Sequence, residues 1–381
     1  MALSCGRLGK ILVKLAIVRK RFASAGGAEQ FIVDTTNALA ELGVEVTLIS
    51  EGSDGVGELG ARLIKLPVSK GSRSHRYRTF QAAVDHALAQ RSFTLVQSHE
   101  RILNADIFRA GDGVHAAWVE RLKRSRPWWR RLAMDYDPLH QLLMDTERRM
   151  ARETDMVFVA NSELVARELR DWLDVPQERL RVIENGVDLN RFRPATTEER
   201  SAARAQLGVD DGPVVAYVGS GFERKGAFQL VRALADRRLR DVKAVIAGRD
   251  KAQQSLMRLV NDLRLSKRVV VAGPVGDVRQ ILHAADLFVL PTLYDPMPNA
   301  ALEALASGLP VVTTPDAGIA EAIVETGAGR VSAREPEALA DAIHRALLDL
   351  ATARKAALSL RPRFELSLAT RKWLDLYREL S

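Results

Sequence analysis

The chain has 381 residues, 47% hydrophobic and 27% charged, a balance that excludes a disordered chain and leaves room for two or three ordinary domains. No apolar run reaches the roughly 18 residues of a membrane span; the best candidate, residues 11–18, is interrupted by Lys14 and is not expected to be a secretory leader. The single cysteine, Cys5, excludes an intrachain disulfide and a cysteine-rich metal cluster and fits a reducing cytosol.

The net charge is +8, and residues 1–150 carry 23 Lys/Arg against 16 Asp/Glu, so nearly all of the excess lies in the first part of the chain. Such an excess fits an anionic partner (a phosphorylated substrate, an anionic membrane or nucleic acid) or simply an arginine-rich proteome.

Short β-rich runs alternate with helical stretches, which predicts βαβ units and parallel sheets. Strands are expected at 11–18, 44–50, 62–66, 94–97, 156–159 and 181–183, with helices at 30–42 and 79–90. Asn185-Gly186 reads as a turn, followed by a polar connector over 187–200, and the domain boundary is placed there. The second half restarts with a strand at 214–218, a loop at 219–226 and a helix at 227–235. Strands follow at 244–247, 269–271, 287–290 and 310–313, and an amphipathic helix at 366–380 closes the chain. Two α/β units in series place a cleft between them, with ligands at the carboxyl ends of the strands.

Three segments can hold an anion there. Ser24-Ala25-Gly26-Gly27 follows the first strand and opens a helix, so a ligand phosphate can approach free helix-start amides; an ordinary strand-to-helix turn would look the same. It lacks the dinucleotide and P-loop fingerprints. The run from Gly219 through Gly221 to Gly226 places Arg224 and Lys225 together in a glycine-rich loop, where they can neutralise a diphosphate leaving group or form a solvated pair. In the third segment Pro298 suits the first turn of a helix ending near Gly308, with Asp295 just before it and Glu303 in its second turn. The two acids can hold different hydroxyls of one extended ligand, with the helix-start amides in the stretch Met297, Pro298, Asn299 and Ala300 (the proline itself having no N–H) nearby for its phosphates; Glu303 as a surface charge is disfavoured by its apolar neighbours.

Together these segments resemble the retaining GT-B glycosyltransferases, in particular glycosyltransferase family 4, over almost the whole chain. Gly26-Gly27-Ala28-Glu29 is similar to that family's first glycine-rich turn, and Asn185-Gly186-Val187-Asp188 with Phe192 and Pro194 to its interdomain segment. Arg224 and Lys225 match its diphosphate-binding pair. Asp295 and Glu303 match its two acids with seven residues between them, with Asp where the family usually has Glu. A narrower resemblance, carried by residues 219–226, 247–251 and 106–118, is to the lipopolysaccharide core heptose glucosyltransferases. The resemblance implies an α/β GT-B fold, two Rossmann-like domains with parallel sheets facing across a cleft. Residues 1–185 would bind acceptor, residues 186–365 would bind nucleotide-sugar, and helix 366–381 would cross back onto the first domain. It further implies UDP-glucose as donor substrate, a lipid-linked heptose acceptor and no cofactor.

On this reading Asp112, Asp295, Arg224 and Lys225 carry the chemistry. Gly26, Gly27, His99, Gly221, Arg249, Met297, Pro298, Asn299, Ala300 and Glu303 bind substrate. His99 at a strand end reads equally as a structural hydrogen bonder. No metal is expected, since no His/Cys cluster has ligand spacing and Asp135-Tyr136-Asp137 does not end a strand. Residues 118–136 contain Trp118, Trp128 and Trp129 and, over 119–131, six cations against one acid. That mixture suits the surface of an anionic membrane, so a peripheral site on the inner face of the cytoplasmic membrane is expected. Core packing of the tryptophans, or direct binding of acceptor phosphates, would account for the same residues. No nucleic-acid module is recognised. A nucleotide-sugar epimerase and a non-catalytic sugar-nucleotide or lipid-binding scaffold are the rival functions.

Overall fold

A computed structural model describes residues 13–21, 27–52, 60–209 and 211–381, without the side chains of 27–32 and 34. Its central strands are short, apolar and buried on both faces: β8 reads VVAYV (Val214–Val218) and β11 reads LFVL (Leu287–Leu290), the composition of a sheet covered by helices on both sides.

The first sheet contains β1 (Lys14–Val18), β2 (Glu45–Ser50), β3 (Arg62–Lys65), β4 (Leu95–Ser98), β5 (Ile107–Ala110), β6 (Val157–Ala160) and β7 (Leu180–Val182). It is parallel throughout, in the order β3-β2-β1-β4-β5-β6-β7. The second contains β8, β9 (Lys243–Ala247), β10 (Val269–Gly273), β11, β12 (Val311–Thr313) and β13 (Gly329–Val331), again all parallel, in the order β10-β9-β8-β11-β12-β13. Both are doubly wound. Strand order reverses between β1 and β4 and between β8 and β11, where the outgoing loops part and leave a crevice at the carboxyl ends. The residues after these four strands are therefore the ones the topology delivers to a ligand.

The second unit is built on one large apolar core. In the first unit, Trp373, Leu376 and Tyr377 of the last helix (Leu366–Leu380) are buried with Leu15, Ile17 and Leu39, so the end of the chain completes the core of its beginning. The two chain crossings lie side by side: Val187 N–H donates to Phe364 O (2.7 Å) and Leu366 N–H to Val187 O (3.0 Å). Asn185-Gly186 leads into this pairing and does not form the expected turn. Gly186 is needed for closeness: a Cβ would lie 2.5 Å from Leu366 Cα. Gly186→Val is expected to cost about 1–3 kcal/mol, the price of overpacking a rigid contact, measured by chemical denaturation; a change under about 0.5 kcal/mol would show that the crossings yield easily.

Other differences have local causes. The helix expected from residue 79 begins at Arg73, because Ser72 Oγ accepts from His75 N–H and caps it there. Strand β5 carries Arg109 in its middle and β13 has three residues led by glycine, so neither gives an apolar run. Residues 222–225 form one helical turn rather than loop.

Candidate active site

On the second unit, β8 leads into Gly221, whose φ of +80° starts the turn Phe222–Lys225. Three outside groups hold the turn. Asp250 Oδ2 accepts from Phe222 N–H (2.8 Å). Arg334 donates to the carbonyls of Glu223, Arg224 (3.2 Å) and Pro291 (2.9 Å). Leu293 N–H also donates to Arg224 O (2.7 Å). Lys225 Nζ then lies 3.1 Å from Asp295 Oδ2, and Arg224 3.9 Å from the same oxygen. Two cations share one carboxylate at the carboxyl ends of β8 and β11. The excess positive charge suits a diphosphate whose negative charge grows as its glycosyl bond breaks.

Asp295 is fixed by its backbone: its N–H donates to Asp316 O (3.0 Å) and its carbonyl accepts from Gly318 N–H (2.9 Å). Met297 and Pro298 are buried behind it, and the helix Asn299–Ala306 starts there with Asn299 and Ala300 half-buried in its first turn. Helix starts leave amides without intrahelical acceptors, which favours an anion in front of them. Glu303 is half-buried in the second turn. Arg249, in contrast, is exposed after β9, and its neighbour Asp250 makes the structural contact.

The first unit meets this site with its own strand ends. Gly27 begins the helix Gly27–Glu41, which approaches the helix Asn299–Ala306; Gly26 lies outside the described residues. After β1, Arg19 lies 3.4 Å from Asp112 Oδ2 and 3.9 Å from Glu100 Oε1, and Lys20 N–H donates to Glu100 (3.0 Å). Partial loss of water opposes the charged form of Asp112, but its side chain is still 59% exposed, and Arg19, Arg101 and Arg109 outweigh that loss and hold the carboxyl below its usual value. Burial pushes Glu100 the other way, upward. The site thus offers one firmly ionised carboxylate beside one that protonates more easily.

His99 is buried at the end of β4. Tyr377 Oη donates to Gln97 Oε1 (2.7 Å), so the Gln97 amide faces His99 Nε2 (3.0 Å) as donor, and the neutral ring carries its proton on Nδ1. Burial, with Arg109 and Arg19 nearby, lowers its pKa well below the ordinary value. Nδ1 is buried with no partner, and His99 lines a small cavity with Thr35, Thr36, Gln97, Arg109 and Tyr377. From Arg109 a chain of hydrogen bonds crosses between units: Arg109 donates to Asn185 Oδ1 and Asn185 Nδ2 to Asn299 Oδ1, both at 2.6 Å.

Behind Asp112, the buried pair Arg101–Glu147 (2.8 Å) fixes the turn into the helix His115–Arg124: Glu147 accepts His115 N–H and Arg101 donates to Gly113 O (2.9 Å). His115 Nε2 meets His140 Nδ1 at 2.9 Å. Burial, then Arg101 and His140, lower the His115 pKa to about 3, and burial lowers that of His140 as well. A depressed histidine binds its proton more weakly folded than unfolded. Its contribution is therefore complete above the ordinary value of 6.5 and is lost as pH falls toward about 3. Melting temperature is expected to fall between pH 6.5 and pH 4, and less steeply in His115→Gln; equal slopes would remove His115 from that account.

The same helix carries contacts to the second unit. Tyr294 Oη donates to Glu168 Oε2 (2.5 Å), Arg121 pairs with Glu168 (2.8 Å) and Asp316 (2.6 Å), and Trp118 stacks on Tyr294 with centroids 6.0 Å apart. Beyond it, Arg126 reaches Glu223 (3.1 Å). The next helix, Trp128–Asp135, buries no residue: Trp128 is 72% and Trp129 53% exposed, with Leu132 and Tyr136 also open. Those two tryptophans are not core residues; Trp118 is half-buried.

The sequence does not single out the positioning groups Asp250, Arg334, Arg19 and Tyr294. Arg19 had a usable signal, a cation directly after the first strand; Arg334 had none.

Comparison with known proteins matches residues 25–191 to Glycosyltransferase Family 4 and residues 199–358 to Glycosyl transferases group 1. The lipopolysaccharide core biosynthesis glycosyltransferase LpsE of Rhizobium meliloti is 30% identical over 311 residues, which cover 80% of each chain. The chain belongs to the group 1 glycosyltransferases. The GT-B fold is shared with WaaG, a glycosyltransferase involved in lipopolysaccharide biosynthesis: the TM-score is 0.82 at 21% identity, over 95% of this chain and 99% of that one. The D-inositol 3-phosphate glycosyltransferase of Nocardia farcinica is 33% identical over 195 residues, 48% of this glycosyltransferase but only 42% of the relative. Among the described residues of the glycosyltransferase, no helix is long and apolar enough to cross a membrane.

Proposed function

We propose that this glycosyltransferase moves glucose from UDP-glucose, with retention and without a metal, to a heptose of the lipopolysaccharide inner core. The observation that carries this reading is the placement of Arg224, Lys225 and Asp295 at the strand-order reversal of one unit, and of Arg19 at the reversal of the other, where it pairs with Asp112 from the end of the neighbouring strand β5. The match to LpsE along most of both chains supports the acceptor class. The donor's bond from the anomeric carbon to the β-phosphate oxygen breaks while the acceptor oxygen forms its bond on the same face. The acceptor proton passes to a phosphate oxygen of the departing UDP. Arg224, Lys225 and the helix-start amides stabilise the charge on UDP. Asp112 orients a sugar hydroxyl, and Glu303 holds the ribose. Radiolabelled UDP-glucose incubated with truncated lipopolysaccharide tests the whole proposal. Transfer supports it, donor conversion without acceptor indicates an epimerase, and binding without chemistry indicates a scaffold. A panel of UDP, GDP and ADP sugars in a thermal-shift assay tests the donor.

The exposed face of Trp128, Trp129, Leu132 and Tyr136, among Arg124, Arg130 and Arg131, supports a peripheral position on the inner, anionic face of the cytoplasmic membrane. Flotation with anionic liposomes is expected to carry the protein upward. Trp128→Ser/Trp129→Ser is expected to weaken that binding at least tenfold, and salt to weaken it further. Equal flotation of both proteins, or none at any ionic strength, removes the membrane from the account.

A further inference from the structure

We propose that Tyr294 is a positioning residue: it registers the diphosphate-binding loop of the second unit on the first unit. Tyr294 belongs by its backbone to the second unit, between β11 and the helix Asn299–Ala306. Its carbonyl accepts a hydrogen bond from Arg224 (2.7 Å), and the next residue is Asp295. By its side chain it belongs to the first unit. The ring is 2% exposed, stacks on Trp118 and has the Arg121 guanidinium 4.6 Å above it, while its hydroxyl donates to Glu168.

The receiving socket is shaped for this ring. Gly113, at φ +73°, lies so close that a Cβ would overlap the Tyr294 hydroxyl. Gly113 directly follows Asp112, so the socket and the first unit's ionised carboxylate are one segment, just as the tyrosine and the cation-bound Asp295 are one segment. Glu168, buried and pushed upward in pKa by that burial, is kept in place by Arg121 as well as by the tyrosine. Arg121 in turn reaches Asp316, whose carbonyl holds Asp295 N–H. Seating the ring therefore sets the distance between the charges that hold a leaving group and the carboxylate across from them. A ring out of its socket leaves both half-sites intact and unregistered.

This inference rests on the chain's being a glycosyltransferase, and its test separates the two. Tyr294→Ala removes the plug. Gly113→Ala obstructs the socket without altering the loop that carries Asp295. Both are compared with wild type in three measurements: UDP binding, kcat for sugar transfer, and small-angle X-ray scattering with UDP bound. The expected result is a UDP affinity within about threefold of wild type, a fall in kcat of at least about tenfold in both variants, and scattering that reports a more open arrangement of the two units. Tyr294→Phe, which keeps the ring and the stack, recovers a large part of kcat. A variant that transfers at the wild-type rate, or whose scattering stays closed, overturns the proposal. If the wild type transfers no sugar, the functional reading fails by itself, and the scattering comparison still decides whether Tyr294 registers the units.

Discussion

Lys225→Ala is expected to lower kcat by about 100-fold or more while the protein stays folded. The lysine ends a single helical turn that is held independently by Asp250, Arg334 and Leu293, so the loop survives loss of the side chain. Its ammonium lies 3.1 Å from Asp295, at the point where two strand ends and a helix start converge. A cation there acts most strongly on the departing diphosphate, whose charge is greater in the transition state than in the bound donor. The fall is therefore expected in kcat more than in donor KM, and Lys225→Arg is expected to recover part of it by restoring charge without the compact geometry. Parallel measurement of kcat, KM and melting temperature checks this. A variant with near wild-type kcat would remove Lys225 from leaving-group stabilisation.

Arg101→Met is expected to destabilise the first unit by about 3–5 kcal/mol, the cost of stranding a buried carboxylate. Arg101 and Glu147 are both buried, 2.8 Å apart, and Glu147 also accepts the His115 backbone N–H. Removing the guanidinium leaves Glu147 without its charge partner and frees the Gly113 carbonyl. The double variant Arg101→Met/Glu147→Leu is expected to be more stable than Arg101→Met alone, because an apolar pair avoids the desolvation cost that the lone carboxylate carries. Urea denaturation of wild type, Arg101→Met and the double variant measures both differences. Activity is expected to fall in both variants, since the pair fixes the turn that presents Asp112. A single variant within about 1 kcal/mol of wild type would mean that the pair is not essential to this corner.

The sequence carried most of the fold because the decisive signals are local. The apolar runs of β8 and β11 and the amphipathic pattern of Leu366–Leu380 fall within the structure's own limits. Arg224, Lys225, Asp295 and Glu303 lie in two segments at expected helix starts, the first directly after an expected strand, and the family resemblance assigns both to the nucleotide-sugar site. What was not legible is non-local. Gly186 reads as a turn residue until Leu366, far along the chain, is seen pressed against it. The seat of Tyr294 is made by Gly113, Trp118 and Glu168, which no spacing rule connects to it. The charged stretch around Trp118–Tyr136 favours an exposed face without excluding packing, since an arginine beside a tryptophan fits a helix on either side. The structure separates them, with Trp118 against Tyr294 and Trp128 and Trp129 facing out.

A crystal structure with an unreactive UDP-glucose analogue is the most direct measurement. The account predicts the pyrophosphate within hydrogen-bonding distance of Lys225 and Arg224, in front of the helix Asn299–Ala306, with the ribose at Glu303 and the sugar turned toward Asp112. A nucleotide bound in another crevice, or a pyrophosphate that touches neither cation, would contradict it.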